Sequence, residues 1–558
     1  MTQAQTRPVG AMAPPGAGGR VPAVSSNETA GAQPGSAVVP GTMLRMTKGL
    51  IWLYLILWLF EGTLRKWYLV SLSDVLLIIR DPVVILIYLT AASCRSLRIN
   101  FFNGAVLVLG IASFVAGTLV LGNPLVAGFG FRANFLHLPL VFVMGAVLNG
   151  DDLRKMGKFL LVLALPMALI MAKQYQSGID DWWNLGAGGG RQIESVGGKI
   201  RAAGTFSFIS GPVAYYGLVC AFFIGFIAYK SWLRWWFAIP ALAGIILGAA
   251  VAGSRSLLLS MLIVGASYGM GAVFFPSALK KFGKWIVAGV VVFLIVSVFD
   301  VYKEGLATTT ERFTDATESE GGLLGSLSRL LSPMFISIGT LAELQPLGMG
   351  LGLGTNAGAA MMGERGKFLL AENEWPRVLL ESGPFLGSSY LLLRLGFVLW
   401  AIGRGFKAAR AGNLFPMAFL GAAGLGFLTG QFGQPTSMGA AVLGMGFFVA
   451  SLSMQKPREV LSSTGTGEGQ AEGPGPEDDG LPPPPSEERV SSFVQRGGSA
   501  MAASSPLDGL PPRRNAVRSA PRSPAEASPD PLPSRPTGLP EVKPGAFTIR
   551  NRRKSDEP

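Results

Sequence analysis

Charge is scarce in this chain, and so are the residues that build metal and redox centres. Only 15% of the 558 residues are charged, where a soluble domain carries about 25%. A single histidine, His137, excludes a His-rich metal site. The two cysteines, Cys94 and Cys220, lie in or beside apolar segments and offer neither a disulfide framework nor a zinc pattern. No early apolar core followed by a small-residue cleavage site opens the chain, so the first apolar helix is expected to serve as an uncleaved membrane signal. No internal repeat of fixed period is visible.

Long hydrophobic runs are abundant. Hydrophobic residues make up 49% of the chain and are concentrated between about Gly49 and Met454. Residues 1–48 and 455–558 are instead rich in Pro, Gly, Ala and Ser. Such segments bury too little surface to offset the entropy of ordering, so both are expected to be disordered, the second a Pro/Ser/Arg-rich tail. Spanning a bilayer takes roughly 20 apolar residues. Segments of that kind lie near 49–64, 71–92, 102–121, 126–148, 157–174, 207–229, 234–252, 256–275, 284–301, 376–402, 412–430 and 436–454. The expectation is an all-α integral membrane protein with about 12 transmembrane helices across 49–454.

The net charge of +13 does not point to nucleic acid. The tail from Gln455 carries fourteen basic and fourteen acidic residues, and the first 48 residues contribute only +3. The rest lies in the membrane region. There Lys and Arg cluster on every second connection: Arg45/Lys48, Arg95/Arg98, Arg154/Lys155/Lys158, Lys230/Arg234, Lys280/Lys281/Lys284, Arg404/Lys407/Arg410 and Lys456/Arg458. The positive-inside rule reads this alternation as twelve spans with both termini cytoplasmic. Two long connections, 174–206 and 301–375, then fall on the opposite face. The second holds an acidic stretch, Thr308 to Glu320, and an amphipathic run, Ser326 to Leu344, suited to the membrane surface.

A second set of charges remains on that face. Arg255 sits in the very short turn Ala252-Gly-Ser-Arg-Ser256. Snorkelling to the headgroups would explain it; an anion site would too, since a guanidinium offers a fixed fork to phosphate oxygens. Arg201 opens Arg-Ala-Ala-Gly-Thr-Phe immediately before a helix, where an arginine and free amides would hold an anion together. Glu374, Arg377 and Glu381 are spaced to share a helix face. They form either an intrahelical ion pair or, with Glu372, a set of carboxylates poised as a general base. Gly348, Gly350, Gly352 and Gly354 lack the Lys-Ser/Thr of a nucleotide-binding loop, and their plain reading is a close-packed turn. Asp74, Arg80 and Asp81 flank Pro82 within an apolar helix, where charges default to a functional reading; an ion pair of Arg80 with Asp74 or Asp81 accounts for them. His137 reads as a packing residue.

Taken in order, Arg201-x-x-Gly-Thr-Phe206, Gly253-Ser-Arg-Ser256, Pro346-Leu-Gly-x-Gly-x-Gly, Glu372-Asn-Glu-Trp375 and Glu381-Ser-Gly383 resemble the O-antigen ligase and O-antigen polymerase superfamily of bacterial membrane glycosyltransferases. The resemblance covers about residues 50–455. It implies a GT-C-like fold in the inner membrane, with the long periplasmic loop before the tenth helix. It also implies an undecaprenyl-diphosphate-linked glycan as substrate, with no metal, cofactor or nucleotide sugar. Arg201 and Arg255 match the arginines that hold the lipid diphosphate, with Arg191 and Arg377 as further candidates. Glu372 and Glu374 are the candidate catalytic carboxylates, and Asn373, Glu381, Gly350 and Gly352 would support them. The ligases typically place a histidine before the asparagine of the late motif; Glu372 stands there in this chain, which favours a polymerase of O-antigen or exopolysaccharide. Expected partners are membrane lipids and other polysaccharide assembly proteins, such as a flippase or a chain-length regulator. Transfer of a finished glycan to an acceptor such as lipid A core is the alternative within the family. A multi-pass transporter or flippase without chemistry is the alternative outside it.

Overall fold

A computed structural model describes residues 40–97, 100–190, 192, 199–228, 234–280, 282–320, 322–339, 341, 344–363, 371 and 373–454. The tail 455–558 and most of the N-terminal segment therefore lie outside the described residues. Among these, every extended regular element is a helix. The first, α1, spans Pro40–Thr63 and so takes in residues 40–48, which composition assigned to the N-terminal segment. There follow α2 (Arg80–Ser93), α3 (Phe101–Leu121), α4 (Pro124–Phe131), α5 (Leu140–Val147) and α6 (Gly150–Gln176). The next are α7 (Ser210–Ala228), α8 (Trp235–Val251), α9 (Arg255–Ala272) and α10 (Gly283–Val296). The last are α11 (Asp300–Glu320), α12 (Gly322–Gly339), α13 (Glu374–Ser382), α14 (Ser388–Arg410), α15 (Phe415–Thr429) and α16 (Pro435–Leu452).

Local chemistry sets several of the boundaries. Asn149 caps α6 by accepting from the Asp152 amide at 3.0 Å, while the Asp152 carboxylate accepts from the Asn149 amide at 3.0 Å. This reciprocal arrangement satisfies two amides that the first helical turn leaves open. Asn100 caps α3 in the simpler way, accepting from the Asn103 amide at 2.8 Å. α4 opens with Asn123 as cap and Pro124 at its first position, where the missing N–H costs nothing.

Nine of the helical stretches are long and apolar enough to cross a membrane, and a bent pair makes up to ten, among the described residues. Two shorter apolar helices, α8 and α15, occupy positions where the sequence placed two further spans. Each of the twelve apolar segments contains a helix among the described residues, nine or ten of them long enough to cross a membrane, and the chain is a multi-pass membrane protein.

The stretches Ser210–Ile227 (α7) and Pro435–Leu452 (α16) form the interior, each 78% buried, whereas Phe101–Leu121 (α3) is 28% buried and peripheral. Lipid tails give no hydrophobic drive for helices to associate, so close packing through small residues and interhelical hydrogen bonds does that work. A Cβ at Gly244 of α8 would sit 2.5 Å from the Leu165 amide nitrogen of α6. One at Gly421 of α15 would sit 2.7 Å from Val264 Cα of α9. Tyr215 and Tyr216 on α7 donate to the Leu160 and Ala164 carbonyls of α6 at 2.7 and 3.0 Å. Ser267 of α9 donates to the Met417 carbonyl of α15 at 2.7 Å.

The long connection before α13 is partly helical. After α10 the chain bends by 104° into α11, which takes up the acidic stretch. α11 rests on the ends of α6 and α8. Tyr175 and Thr308 hydroxyls are 2.8 Å apart, and Thr309 donates to the Ala250 carbonyl at 3.2 Å. The amphipathic run is helical as far as Gly339, and α12 exposes Phe335, Ile336 and Ile338.

The helix contacts give a paired prediction. Gly244→Ala forces a methyl against the α6 backbone, which cannot move aside as a side chain would. It should destabilise the protein by about 1–3 kcal/mol, read as a lowered melting temperature in detergent. Gly265→Ala, on α9 with nothing within 4 Å of the new Cβ, should be neutral or stabilising. Equal effects would contradict the packing described.

Candidate functional site

Among the described residues, three helical turns are widened to the π form: Leu64–Tyr68 after α1, Arg132–Leu136 after α4, and Gly383–Gly387 between α13 and α14. Such bulges re-aim side chains and recur at functional sites. Each of these three lies beside charged residues buried in the protein.

The first group is centred on α13. Glu374, Arg377, Glu381 and Arg394 are all fully buried. The spacing that put the first three on one helix face brings them into direct contact. Arg377 donates through Nε to Glu374 Oε2 at 2.8 Å and through Nη1 to Glu381 Oε2 at 2.9 Å. Its Nη2 serves Glu374 Oε1 at 3.0 Å and Asn134 Oδ1, in the second π turn, at 2.8 Å. Arg394, from α14, donates to Glu374 Oε1 at 2.7 Å. Its remaining nitrogens hold the Phe427 and Gly430 carbonyls at the end of α15, at 2.8 and 3.0 Å. Two carboxylates and two guanidinium groups make this group neutral, and its geometry satisfies the pairing that burial demands.

The glycine run packs onto the same helix. Gly350 and Gly352 have φ of +109° and +95°, a region that glycine enters without strain. A Cβ at Gly350 would meet Leu121 Cδ2 at 2.6 Å, and one at Gly352 would meet the Gly130 nitrogen at 2.8 Å. The Gly350 amide donates to the Glu381 carbonyl at 3.0 Å, and the Gly354 amide to Glu381 Oε1 at 2.8 Å. The run is a close-packed turn that Glu381 fastens to α13.

The second group joins the end of α1 to α2 and the segment 201–207. Glu61 pairs with Arg80 at 3.0 Å and with Arg65 at 3.6 Å. Arg65 also donates to the Ser73 carbonyl at 3.0 Å and to Ser207 Oγ at 3.3 Å. Arg80 donates to the Pro435 carbonyl at 2.6 Å, while its Nη1 has no hydrogen-bond partner. Lys66 is fully buried and donates to the Gly204 carbonyl at 2.6 Å. No carboxylate among the described residues pairs with Lys66. Gln174 completes the cradle, accepting from the Gly204 amide at 2.7 Å. Asp74 is exposed and close enough to Arg65 for their charges to interact. Arg80 is thus paired with Glu61 on the preceding helix, not with Asp74 or Asp81 as the sequence suggested. The pairing follows from α1–α2 packing, which linear spacing does not display.

Asp81 instead meets Arg132, and its other oxygen lies 3.0 Å from His137 Nε2. His137 Nδ1 is 3.0 Å from the Tyr54 hydroxyl. Arg132 and Asn134 share one π turn, so this third group is mechanically continuous with the first.

The sequence-derived candidates divide into three sets. Glu374, Arg377, Glu381, Gly350 and Gly352 converge around α13, and Asn373 is its exposed cap residue. Arg201 is half-buried three residues before Gly204, and its Nε is buried without a hydrogen-bond partner. Arg255 is half-buried at the first position of α9. α9 packs on α7: a Cβ at Gly217 would lie 2.7 Å from Ser260 Oγ. That contact sets Arg255 near the level of the first turn of α7, to which the Arg201 segment leads. Arg191 and Glu372 lie outside the described residues. Missed were Arg394, Asn134, Glu61, Arg65 and Lys66. An arginine within the apolar run of α14 was a legible signal; the partner of each residue was not. Among the described residues, no group of three or more His, Cys, Asp or Glu side chains is arranged to hold a metal ion.

Fold and site together define a multi-pass helical membrane protein that buries paired charges and, among the described residues, gathers more cations than carboxylates around Glu61. The chain matches no protein-family model and no curated protein sequence.

The α13 group generates a prediction. Arg394→Met strips one donor from a buried carboxylate and should cost about 3–5 kcal/mol. The double variant Glu374→Gln/Arg394→Met should cost less than the two single changes added together, in unfolding of the detergent-solubilised protein. Strict additivity would mean that the two residues do not act as one unit.

Proposed function

We propose that this chain joins undecaprenyl-diphosphate-linked oligosaccharide repeat units into O-antigen or exopolysaccharide, acting at the periplasmic face of the inner membrane. The observation that carries the reading is the cationic seam at 201–207. Arg201 is half-buried in that segment and its Nε has no hydrogen-bond partner, while the fully buried Lys66 is taken up by the Gly204 carbonyl. A leaving diphosphate is the kind of group such a seam suits, because its charge grows as the bond breaks.

In the proposed step a glycan hydroxyl attacks C1 of the sugar attached to the diphosphate. The C1–O bond to the diphosphate breaks, and the lipid diphosphate leaves with the electron pair, held by Arg201 and Arg255. The hydroxyl proton passes to a carboxylate. Every oxygen of Glu374 already accepts from an arginine, which leaves it little basicity and suits it to positioning. The base is therefore assigned to Glu372, with Asn373 beside it. A single displacement inverts the anomeric centre.

The test is glycan analysis of a deletion strain carrying wild type, Arg201→Ala, Arg201→Lys or Glu372→Gln, with membrane levels matched. Arg201→Ala should lower polymer formation on the order of 100-fold, with Arg201→Lys intermediate, and single lipid-linked repeat units should accumulate. Long polymer retained on the lipid carrier would instead mark a ligase. Unchanged glycan pools in the deletion strain would remove the glycosyltransferase reading altogether.

A further inference from the structure

At the opposite end of the bundle lies a groove that the site above does not use. α6 and α8 run parallel: Lys158 Nζ stands 5.7 Å from the Phe237 ring, and Gly244 packs on Ala164 and Leu165 further along. Their starts therefore share one end, the end where Lys48, Arg154 and Lys158 also lie. α10 packs against α8 and begins at that same end. Between the first turns of α8 and α10 opens a cavity of about 550 Å³, lined by Arg234, Trp235, Trp236, Ile239, Lys284 and Trp285 together with Ala288.

Three properties of the groove select its occupant. Arg234 and Lys284 are exposed, and no carboxylate among the described residues pairs with either. Behind them stands Lys158, while Asp152 is already matched by Lys48 at 2.6 Å. Among the described residues the groove therefore carries uncompensated positive charge. Its walls are otherwise apolar and aromatic, with Trp235 and Trp236 standing 75% and 59% exposed. Tryptophan holds this position at a membrane–water boundary, its ring among acyl chains and its N–H among headgroups. Ile239 and Ala288 complete the lining on its apolar side, where an acyl chain gains burial and a soluble anion gains nothing.

We propose that this groove binds an anionic glycerophospholipid of the leaflet at that end, its phosphate between Arg234 and Lys284 and its acyl chain along Ile239 and Ala288. Basic pockets between transmembrane helices recognise anionic headgroups in this way. Arginine supplies a bidentate fork to phosphate oxygens, and lysine a point charge. The lipid would tie the start of α10, and through the bend the position of α11, to the composition of the bilayer. The assignment does not depend on the glycosyltransferase reading.

The test uses the full chain purified in mild detergent and titrated with phosphatidylglycerol, phosphatidylcholine or inorganic phosphate, with bound lipid counted by native mass spectrometry. Phosphatidylglycerol should be retained in preference to phosphatidylcholine, and millimolar-range phosphate should not displace it. Arg234→Gln/Lys284→Gln should weaken phosphatidylglycerol retention roughly tenfold. The charge-conserving Arg234→Lys/Lys284→Arg should restore most of it, and Arg404→Gln, on α14 outside the groove, should leave it unchanged. Equal retention of both lipids by the wild type overturns the proposal, as does displacement by phosphate, which would mark a soluble-anion site. Undiminished retention by the Gln variant overturns it as well. A dimer lost in that variant without any change in lipid retention would assign the groove to a second copy of the chain. If the double variant does not fold, the wild-type lipid preference and the phosphate competition still decide.

Discussion

The pairing of Arg377 and Arg394 with Glu374 and Glu381 is the constraint on which the site-bearing end of this protein depends. Four charges removed from water would be costly left alone, and the structure leaves none of them alone. Meeting that demand ties together parts distant in the chain. Arg394 reaches from α14 to the last carbonyls of α15, Arg377 reaches the π turn after α4, and Glu381 fastens the glycine turn. The network therefore acts as a joint between helices that have no hydrophobic reason to associate within lipid.

The same logic explains why the second group looks different. Around Glu61 the cations outnumber the carboxylates among the described residues, and backbone carbonyls make up the deficit: Gly204 for Lys66, Ser73 for Arg65 and Pro435 for Arg80. A carbonyl satisfies a donor but does not neutralise its charge. The neutral group around α13 is thus suited to holding structure, and the cationic group to holding an anion.

Elsewhere the bundle relies on close approach. Glycine and alanine let α6 meet α8 and α15 meet α9 at backbone distance, and hydroxyls of Tyr215, Tyr216 and Ser267 bridge the helices. The bend after α10 lays α11 over the ends of α6 and α8, so a stretch acidic enough to read as loop becomes a helical cover.

By itself the sequence determined the membrane-spanning character, where the apolar helices lie along the chain and the three-residue face on α13. Each of these follows from local pattern: apolar run length, the 3.6-residue period and cap residues such as Asn149. It also marked Arg201 as unusual, because a cation outside the basic clusters is visible in a linear string. Only the tertiary structure decided which partner each buried charge takes. Arg80 joins Glu61 because α1 packs on α2, and Arg394 joins Glu374 because α14 folds back beside α13. The π turns, the helicity of α11 and the depth at which Lys66 is buried were likewise invisible. They go with contacts between residues far apart in the chain, from 59 positions for Thr309 and Ala250 to 243 for Arg377 and Asn134, and local spacing carries no record of those contacts.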